Sequence, residues 1–411
     1  MDARVEATVL ARRMPVRLTP NQVKLVHLAL AMGGFAIGTT EFAAMSLLPY
    51  YAATFGISEP EGGYAISAYA LGVVIGAPVI AVLAARWSRR TLLLTLMTVF
   101  AIFNVMTALA PTFGSMVAFR FLSGLPHGAY FGVAMLVAAS LVPSNARTQA
   151  VGRVLMGLTI ATVVGVPVAT WIGQWLGWRS GFAIVGILAV TTVALIWMLV
   201  PHDRPDKKAS MVRELGALKR PLVWLTLAIG AIGYGGLFAV YTYLATTLTD
   251  VTHVPSYVVP IVFMLFGIGM TLGTYVTGIL ADRALMPTVL GLLLWILLWL
   301  AIYPFSVGNG YAVAVVVFMI GIGGGLGTAL QTRLMDVAGD AQTLAAALNH
   351  SAFNVANALG PWLGGLAIAA GYGWSSTGWV GVGLTIGGLV FWAISIAADP
   401  KSLTTTPPHE H

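Results

Sequence analysis

Apolar runs recur along this chain, each bounded by a short cluster of charged residues, proline or glycine. About 20 mostly apolar residues in a helix cross the hydrocarbon core of a bilayer. Read this way, the runs predict membrane-spanning helices near residues 24–48, 63–85, 91–110, 115–141, 149–172 and 180–200, then near 221–247, 257–280, 287–305, 310–332, 344–370 and 376–397. The pattern is that of an all-α membrane protein with twelve spans. Residues 1–23 carry Arg4, Arg12, Arg13 and Arg17 ahead of a run too long for a cleavable signal, so the first span reads as a signal anchor.

Twelve spans place both ends of the chain on one side, and that side should hold the Lys and Arg residues. Counting loop by loop, 19 of the 21 basic residues fall there; Arg179 lies on the other side and Arg120 inside a span. Removing one span would scramble this sorting, so the even count and cytoplasmic termini follow together. The longest polar stretch, residues 201–220, divides the spans six and six. The expected organisation is therefore a 1–23 cytoplasmic segment, a six-helix bundle over 24–200, a 201–220 cytoplasmic linker, a second bundle over 221–398 and a 399–411 cytoplasmic tail.

Composition closes off other classes. Charged residues make up 9% of the chain, against roughly 25% in soluble domains. The net charge of +7 is spread through the loops rather than gathered on one face, which argues against nucleic acid as a partner. With no cysteine there is no disulfide framework, thiolate nucleophile or Cys-ligated metal. The partners expected are the bilayer, protons and a small molecule; no cofactor or metal is implied, and a monomer is expected.

The two halves resemble each other. Residues 81–86 (AVLAAR) pair with 278–283 (GILADR), Pro167 with Pro361, and Gly177-Trp178 with Gly373-Trp374, at offsets of 197, 194 and 196. Parallel repeats related by an axis along the membrane normal are a transporter plan, with the substrate site near the midplane between them.

Several motifs carry a more specific resemblance. The loop after the second span reads Ala81-Val82-Leu83-Ala84-Ala85-Arg86-Trp87-Ser88-Arg89-Arg90, and its counterpart in the second half keeps Gly278, Leu280, Ala281, Asp282 and Arg283. The fourth span has Arg120, Gly124, Gly128 and Gly132 at every fourth position, the fifth has Gly165-Val166-Pro167, the first reads GTTEF from Gly38 to Phe42, and the eleventh runs from Leu348 to Gly365. Over residues 20 to 398 the chain resembles the major facilitator superfamily, within it the twelve-span drug:proton antiporter branch that includes sugar-efflux and chloramphenicol-type exporters. The resemblance implies a bacterial inner-membrane location, two pseudo-symmetric bundles that rock about a midplane site, and gating by Arg86, Arg89, Arg90, Asp282 and Arg283. It also implies that an Asp in the first loop motif ties spans 2 and 11; Ala85 stands there, so a weak inner lock is expected in the N-terminal half.

Of the 14 acids only Glu41 sits well inside an expected span. A carboxylate at bilayer depth must be paired, hydrated or protonated, which makes it a functional candidate. Glu41 is read as the proton-coupling residue, or alternatively as a permanently protonated structural group. Arg120, the only Lys or Arg well inside an expected span, cannot discharge and must find acceptors; it gates Glu41 protonation, holds substrate, or bonds carbonyls of neighbouring helices. His127 follows two helical turns later on the same face and is read as substrate-lining or as a locally bonded neutral His. His350, Asn354 and Asn357 form a polar stripe that must face protein or a watery cavity. Tyr234 and Tyr241 stack on a flat substrate or simply pack. Gly124, Gly128 and Gly132 fit close helix approach. Gly165 with Pro167, and Gly360 with Pro361, are expected to bend spans 5 and 11.

Three functions compete. Proton-coupled efflux leads; a proton symporter or passive facilitator of the same fold shares its cavity. A membrane-embedded enzyme would need a paired constellation such as two intramembrane carboxylates or H-E-x-x-H, and the sequence offers none.

Overall fold

The computed structural model describes residues 18–84, 87–143, 146–203, 216–338 and 342–403. Ala85 and Arg86 of the loop motif lie outside the described residues, as do the two terminal segments for most of their length and most of the linker. Among the described residues the secondary structure is helical throughout, with no strand.

In the first half the helices are α1 (Pro20–Ser46), the short α2 (Leu48–Phe55), α3 (Glu59–Leu83), α4 (Arg89–Ala108), α5 (Phe113–Ser140), α6 (Arg147–Ile160), α7 (Val166–Leu176) and α8 (Trp178–Leu199). The second half contains α9 (Pro221–Gly233), α10 (Gly235–Thr246), α11 (Val259–Ala281), α12 (Leu285–Ser306), α13 (Gly310–Ile322), α14 (Leu326–Ala338), α15 (Gln342–Ala367) and α16 (Ser376–Ala398). Start signals in the sequence account for several beginnings. Thr19 and Ser58 form capping boxes with Gln22 and Glu61, Pro20 and Pro60 sit in the first turn, and Asn309 accepts from the Tyr311 and Ala312 amides. Gly177 and Gly373 both hold positive φ, 88° and 77°, at the same place before the last span of each half. That backbone suits glycine, and it makes the repeated Gly-Trp pair a structural equivalence.

Eleven of the twelve expected spans are helices long and apolar enough to cross a membrane. The twelfth, α15, has the length at 26 residues, but Asn349, His350, Asn354 and Asn357 dilute its apolar content. It packs against α3, α10 and α9, where those polar groups meet protein instead of lipid.

Several spans extend further than their apolar runs suggested, among them the second and the tenth. The second begins at Glu59. The tenth continues past residue 332 to Ala338 and buries Arg333, whose Nη2 lies 2.8 Å from the Asp399 carboxylate. Arg120 is therefore not the only basic residue within a membrane helix, and the tail acid Asp399 is a structural partner. Hydropathy ended that span early because Arg333 is polar; pairing with the half-buried Asp399 makes it tolerable.

Of the two places where glycine with proline was expected to bend a span, the one in span 5 coincides with an irregular turn. A π-helical turn, Ala161–Gly165, separates α6 from α7, with Pro167 in the next turn. Span 7 breaks at Tyr234, and a 3-10 turn of Gly323–Gly325 interrupts span 10. Pro361 does not end its helix: α15 runs unbroken to Ala367, and a π-helical turn, Ile368–Tyr372, follows.

The halves meet where α3 and α5 face α15, α1 faces α10, and the π-turn with α7 faces α11. One end of this interface is fastened by polar contacts. Thr246 Oγ1 donates to the Glu59 carboxylate, and Gln174 Nε2 donates to the Ser256 carbonyl at 2.9 Å. By the distribution of basic residues this is the end expected to face outward.

Candidate functional site

At mid-height the α1 backbone presents two adjacent polar side chains in different directions. Thr40 turns into the first half, where its hydroxyl donates to Asn104 Oδ1 on α4 at 2.6 Å. The Asn104 amide in turn donates to the Phe100 carbonyl at 2.8 Å. With its proton committed, Thr40 Oγ1 is free to accept, and Arg120 Nη1 donates to it at 3.1 Å. The Arg120 guanidinium lies over the Tyr69 ring, its carbon 4.1 Å from the centroid, with Phe182 at 5.5 Å. An arginine that cannot lose its proton is thus held by a hydroxyl and an aromatic face. Its Nε and Nη2 are buried without a hydrogen-bond partner.

Glu41 points the other way, to the second half. Asn357 Nδ2 on α15 donates to Glu41 Oε1 at 3.1 Å. Both side chains are buried, and Asn357 Oδ1 has no donor. Glu41 and Arg120 were expected to act together, and the structure places them around one helix without an ion pair between them: Arg120 bonds Thr40, and Glu41 bonds Asn357.

His127 Nδ1 lies 3.0 Å from the Tyr69 hydroxyl of the neighbouring helix α3. Its ring also lies 6.0 Å from that of His350 on α15, and His350 stacks nearly parallel on Phe131 at 4.9 Å. Asn354 turns back on its own helix, donating to the His350 carbonyl at 3.0 Å, and leaves Oδ1 unpartnered. Tyr234 packs edge-on against Phe353 at 4.7 Å; Tyr241 packs against Phe266 at 4.4 Å, Phe263 at 4.8 Å and Phe42 at 5.5 Å. In this arrangement both tyrosines form aromatic walls, though the Tyr241 hydroxyl is buried without a partner.

The gating candidates divide. Gly165 closes the π-turn against Thr39 and Phe35. The Pro361 carbonyl accepts from Tyr243 at 2.8 Å, a bond within the second half. The Arg89 and Arg90 amides donate to Asp203 at 2.7 and 3.1 Å, and the Arg90 guanidinium reaches His202 Nε2 at 2.6 Å and the Trp197 carbonyl. These bonds fasten α4 to the end of α8 in the same half. Asp282 and Arg283 are exposed where α11 ends.

Sequence reasoning missed Thr40, Asn104, Tyr69, Phe131 and Glu59. Asn104 is the one asparagine of an otherwise apolar third span, and a lone amide in a membrane helix is a signal for an internal partner. The others carry no such mark.

The model for the Major Facilitator Superfamily matches residues 30–342. The inner membrane transport protein YdhP of Escherichia coli K12 is 39% identical over 349 residues, covering 85% of this chain and 90% of that protein. A chloramphenicol resistance protein of Streptomyces lividans is 33% identical over 384 residues, covering 92% and 96%. The crystal structure of a bacterial homologue of the human lysosomal transporter Spinster, inward-facing and unoccupied, superposes with a TM-score of 0.70 at 16% identity, covering 95% of this chain and 100% of that one.

Proposed function

This chain belongs to the major facilitator superfamily, a family of transporters and not of enzymes, and from that premise we propose that it exports a small organic molecule across the inner membrane in exchange for protons. The observation that carries this reading is the Glu41–Asn357 hydrogen bond at 3.1 Å. It connects a protonatable group of one half to the other half at mid-height. Exchange requires a proton site that feels the relative position of the halves, and Glu41 occupies that position. Arg120 lies on the other side of the same helix, bonded to Thr40.

The substrate site lies where α5 faces α15, around His127, His350 and Asn354, with Arg120 behind it among Thr40, Tyr69 and Phe182. Two donors on Arg120 and one acceptor on Asn354 are unpartnered there, so a neutral molecule bearing both acceptors and a donor complements it. Tyr234 and Tyr241 line its aromatic side. Both termini are cytoplasmic, and the protein works as a monomer.

The test is transport by protein reconstituted in vesicles, with chloramphenicol as the first probe because the Streptomyces lividans relative is named for resistance to it. An imposed proton gradient should drive the probe against its own gradient. Glu41→Gln should abolish that uphill movement and leave exchange of probe for probe intact. Uphill transport by the Gln variant would remove Glu41 from the mechanism, and movement only down the probe gradient in the wild type would identify a facilitator.

A further inference from the structure

We propose that Asn357 is the positioning residue through which the second half reads the protonation state of Glu41. This rests on the exchange mechanism proposed above.

Each partner is anchored in its own half. On the first-half side, Gly38, three residues before Glu41, lies against Leu158 and Ala161, and Gly157 lies against the Ala31 carbonyl. A side chain at either glycine would overlap its neighbour, so α1 and α6 are held in close contact and Glu41 travels with the first bundle. On the second-half side, Gly360 sits on the backbone of Gly235 and Ala239, one turn from Asn357 on α15. Tyr243 donates to the Pro361 carbonyl, so Asn357 travels with the second bundle. The bond at 3.1 Å therefore joins two bodies, not two flexible side chains.

Its chemistry depends on the proton. A carboxylate only accepts, so an ionised Glu41 takes the Asn357 Nδ2 proton in a charge-assisted bond. Adding a proton from solution to the carboxylate forms a new O–H, removes the charge and leaves a weaker neutral acceptor. Asn357 also carries the acceptor that the new O–H needs: Oδ1 is buried and unpartnered in this structure. Turning the amide lets Oδ1 accept from the protonated carboxyl while Nδ2 donates to its carbonyl oxygen. An asparagine serves both protonation states with different geometry; a purely apolar residue serves neither. Pro361 adds to the asymmetry of this helix turn, because it supplies no N–H to the Asn357 carbonyl four residues earlier.

Other ionisable groups around this point are differently placed. Arg120 and His127 come from α5, Tyr69 from α3, Tyr234 and Tyr241 from the seventh span, and His350 from α15. Arg120 bonds Thr40, and Tyr69 contacts His127. The two span-7 tyrosines are enclosed by phenylalanines, and His350 stacks on Phe131. Arg153 of α6 donates to His27, far along α1. Among the described residues, Asn357 is the hydrogen-bond partner that Glu41 meets in the opposite half.

The absence of cysteine makes the test direct. Spin labels on Leu83→Cys and Leu280→Cys report one end of the two halves, and labels on Leu109→Cys and Phe305→Cys report the other; all four positions are exposed. Distances between labels, measured by electron–electron double resonance across a pH series, need no substrate. In the otherwise unaltered chain the populations of the two arrangements should change with pH. Glu41→Gln should hold them constant, and Asn357→Leu should shrink the pH-driven change in population ratio by about tenfold while leaving the melting temperature within a few degrees. If the leucine variant does not fold, Asn357→Ala removes the amide without added volume and should give the same result. A full pH response in the Asn357 variants together with none in Glu41→Gln overturns the reading role and leaves the exchange mechanism standing. A full response in Glu41→Gln, or none in the parent chain, overturns both.

Discussion

Arg120 lies over the Tyr69 ring, with its guanidinium carbon 4.1 Å from the centroid. The intramembrane arginine is thus supported by an aromatic plane and a threonine hydroxyl, while the intramembrane acid is turned to the opposite half. This division lets a fixed positive charge influence Glu41 without quenching it in an ion pair. It also makes the shape of the cation matter.

A planar guanidinium stacks on a ring and donates in plane, whereas an ammonium does neither well. Arg120→Lys should therefore lower vesicle transport at least about tenfold, since a desolvated cation–π contact is worth about 2 kcal/mol. Tyr69→Phe keeps the ring and loses only the His127 contact, so its transport should stay within about threefold of the parent. Equal losses in the two variants would show that the ring face is not what holds Arg120.

The fourth-span glycines were legible as a group but not as individuals. A methyl at Gly124 would overlap the Tyr69 carbonyl, and one at Gly128 would crowd Ala77 at 2.9 Å, whereas nothing lies within 4 Å of a methyl at Gly132. Gly124→Ala should therefore destabilise by about 1–3 kcal/mol through forced separation of α3 and α5. Gly132→Ala should be neutral or stabilise by up to about 1 kcal/mol from helix propensity. Thermal unfolding in detergent checks both, and a matching loss in Gly132→Ala would contradict the packing.

Periodicity in the sequence reports which residues avoid lipid, but not which partner they find. That is why the spans and the His350–Asn354–Asn357 stripe could be read in advance. The destination of each group could not: Asn354 bonds its own helix, Asn357 crosses to Glu41, and Tyr234 and Tyr241 are covered by phenylalanines. Thr40 was invisible because threonine commonly bonds its own helix backbone, as Thr39 does to Phe35. Arg333 and Asp399 looked like loop residues because each alone is polar, and only their pairing explains the longer helix.

That pair gives a separate prediction. Arg333 is 6% exposed, with Nη2 bonded to Asp399 at 2.8 Å and Nε unpartnered. Asp399→Ala leaves a buried cation without its carboxylate and should cost about 2–3 kcal/mol. Replacing both, as Arg333→Met with Asp399→Ala, removes the stranded charge and should recover at least half of that loss. Melting temperatures of the three proteins decide it; a double variant no more stable than the single one would mean the ion pair itself supplies the stability.

The last prediction concerns the opposite end of the molecule. Glu59 opens α3 in the first half and Thr246 closes α10 in the second, and the threonine hydroxyl donates to the carboxylate across the interface. Gly365 lies beside Pro60, and Gly63 beside the Tyr243 hydroxyl, so the helices approach closely enough to keep this bond out of bulk water. Thr246 is 3% exposed. Thr246→Val preserves the shape and removes only the donor, which leaves the Glu59 carboxylate facing a methyl group. A hydrogen bond to a charged acceptor contributes about 1.5–3 kcal/mol, so the open population at this end should rise about tenfold or more. A cysteine placed at Ser67, whose hydroxyl donates to the Ala358 carbonyl across the same interface at 3.3 Å, should then react correspondingly faster with a water-soluble maleimide. The chain has no other cysteine to confuse the reading. Unchanged labelling in Thr246→Val, with Gln174→Ala also unchanged, would mean that apolar packing rather than these polar bonds keeps the end closed.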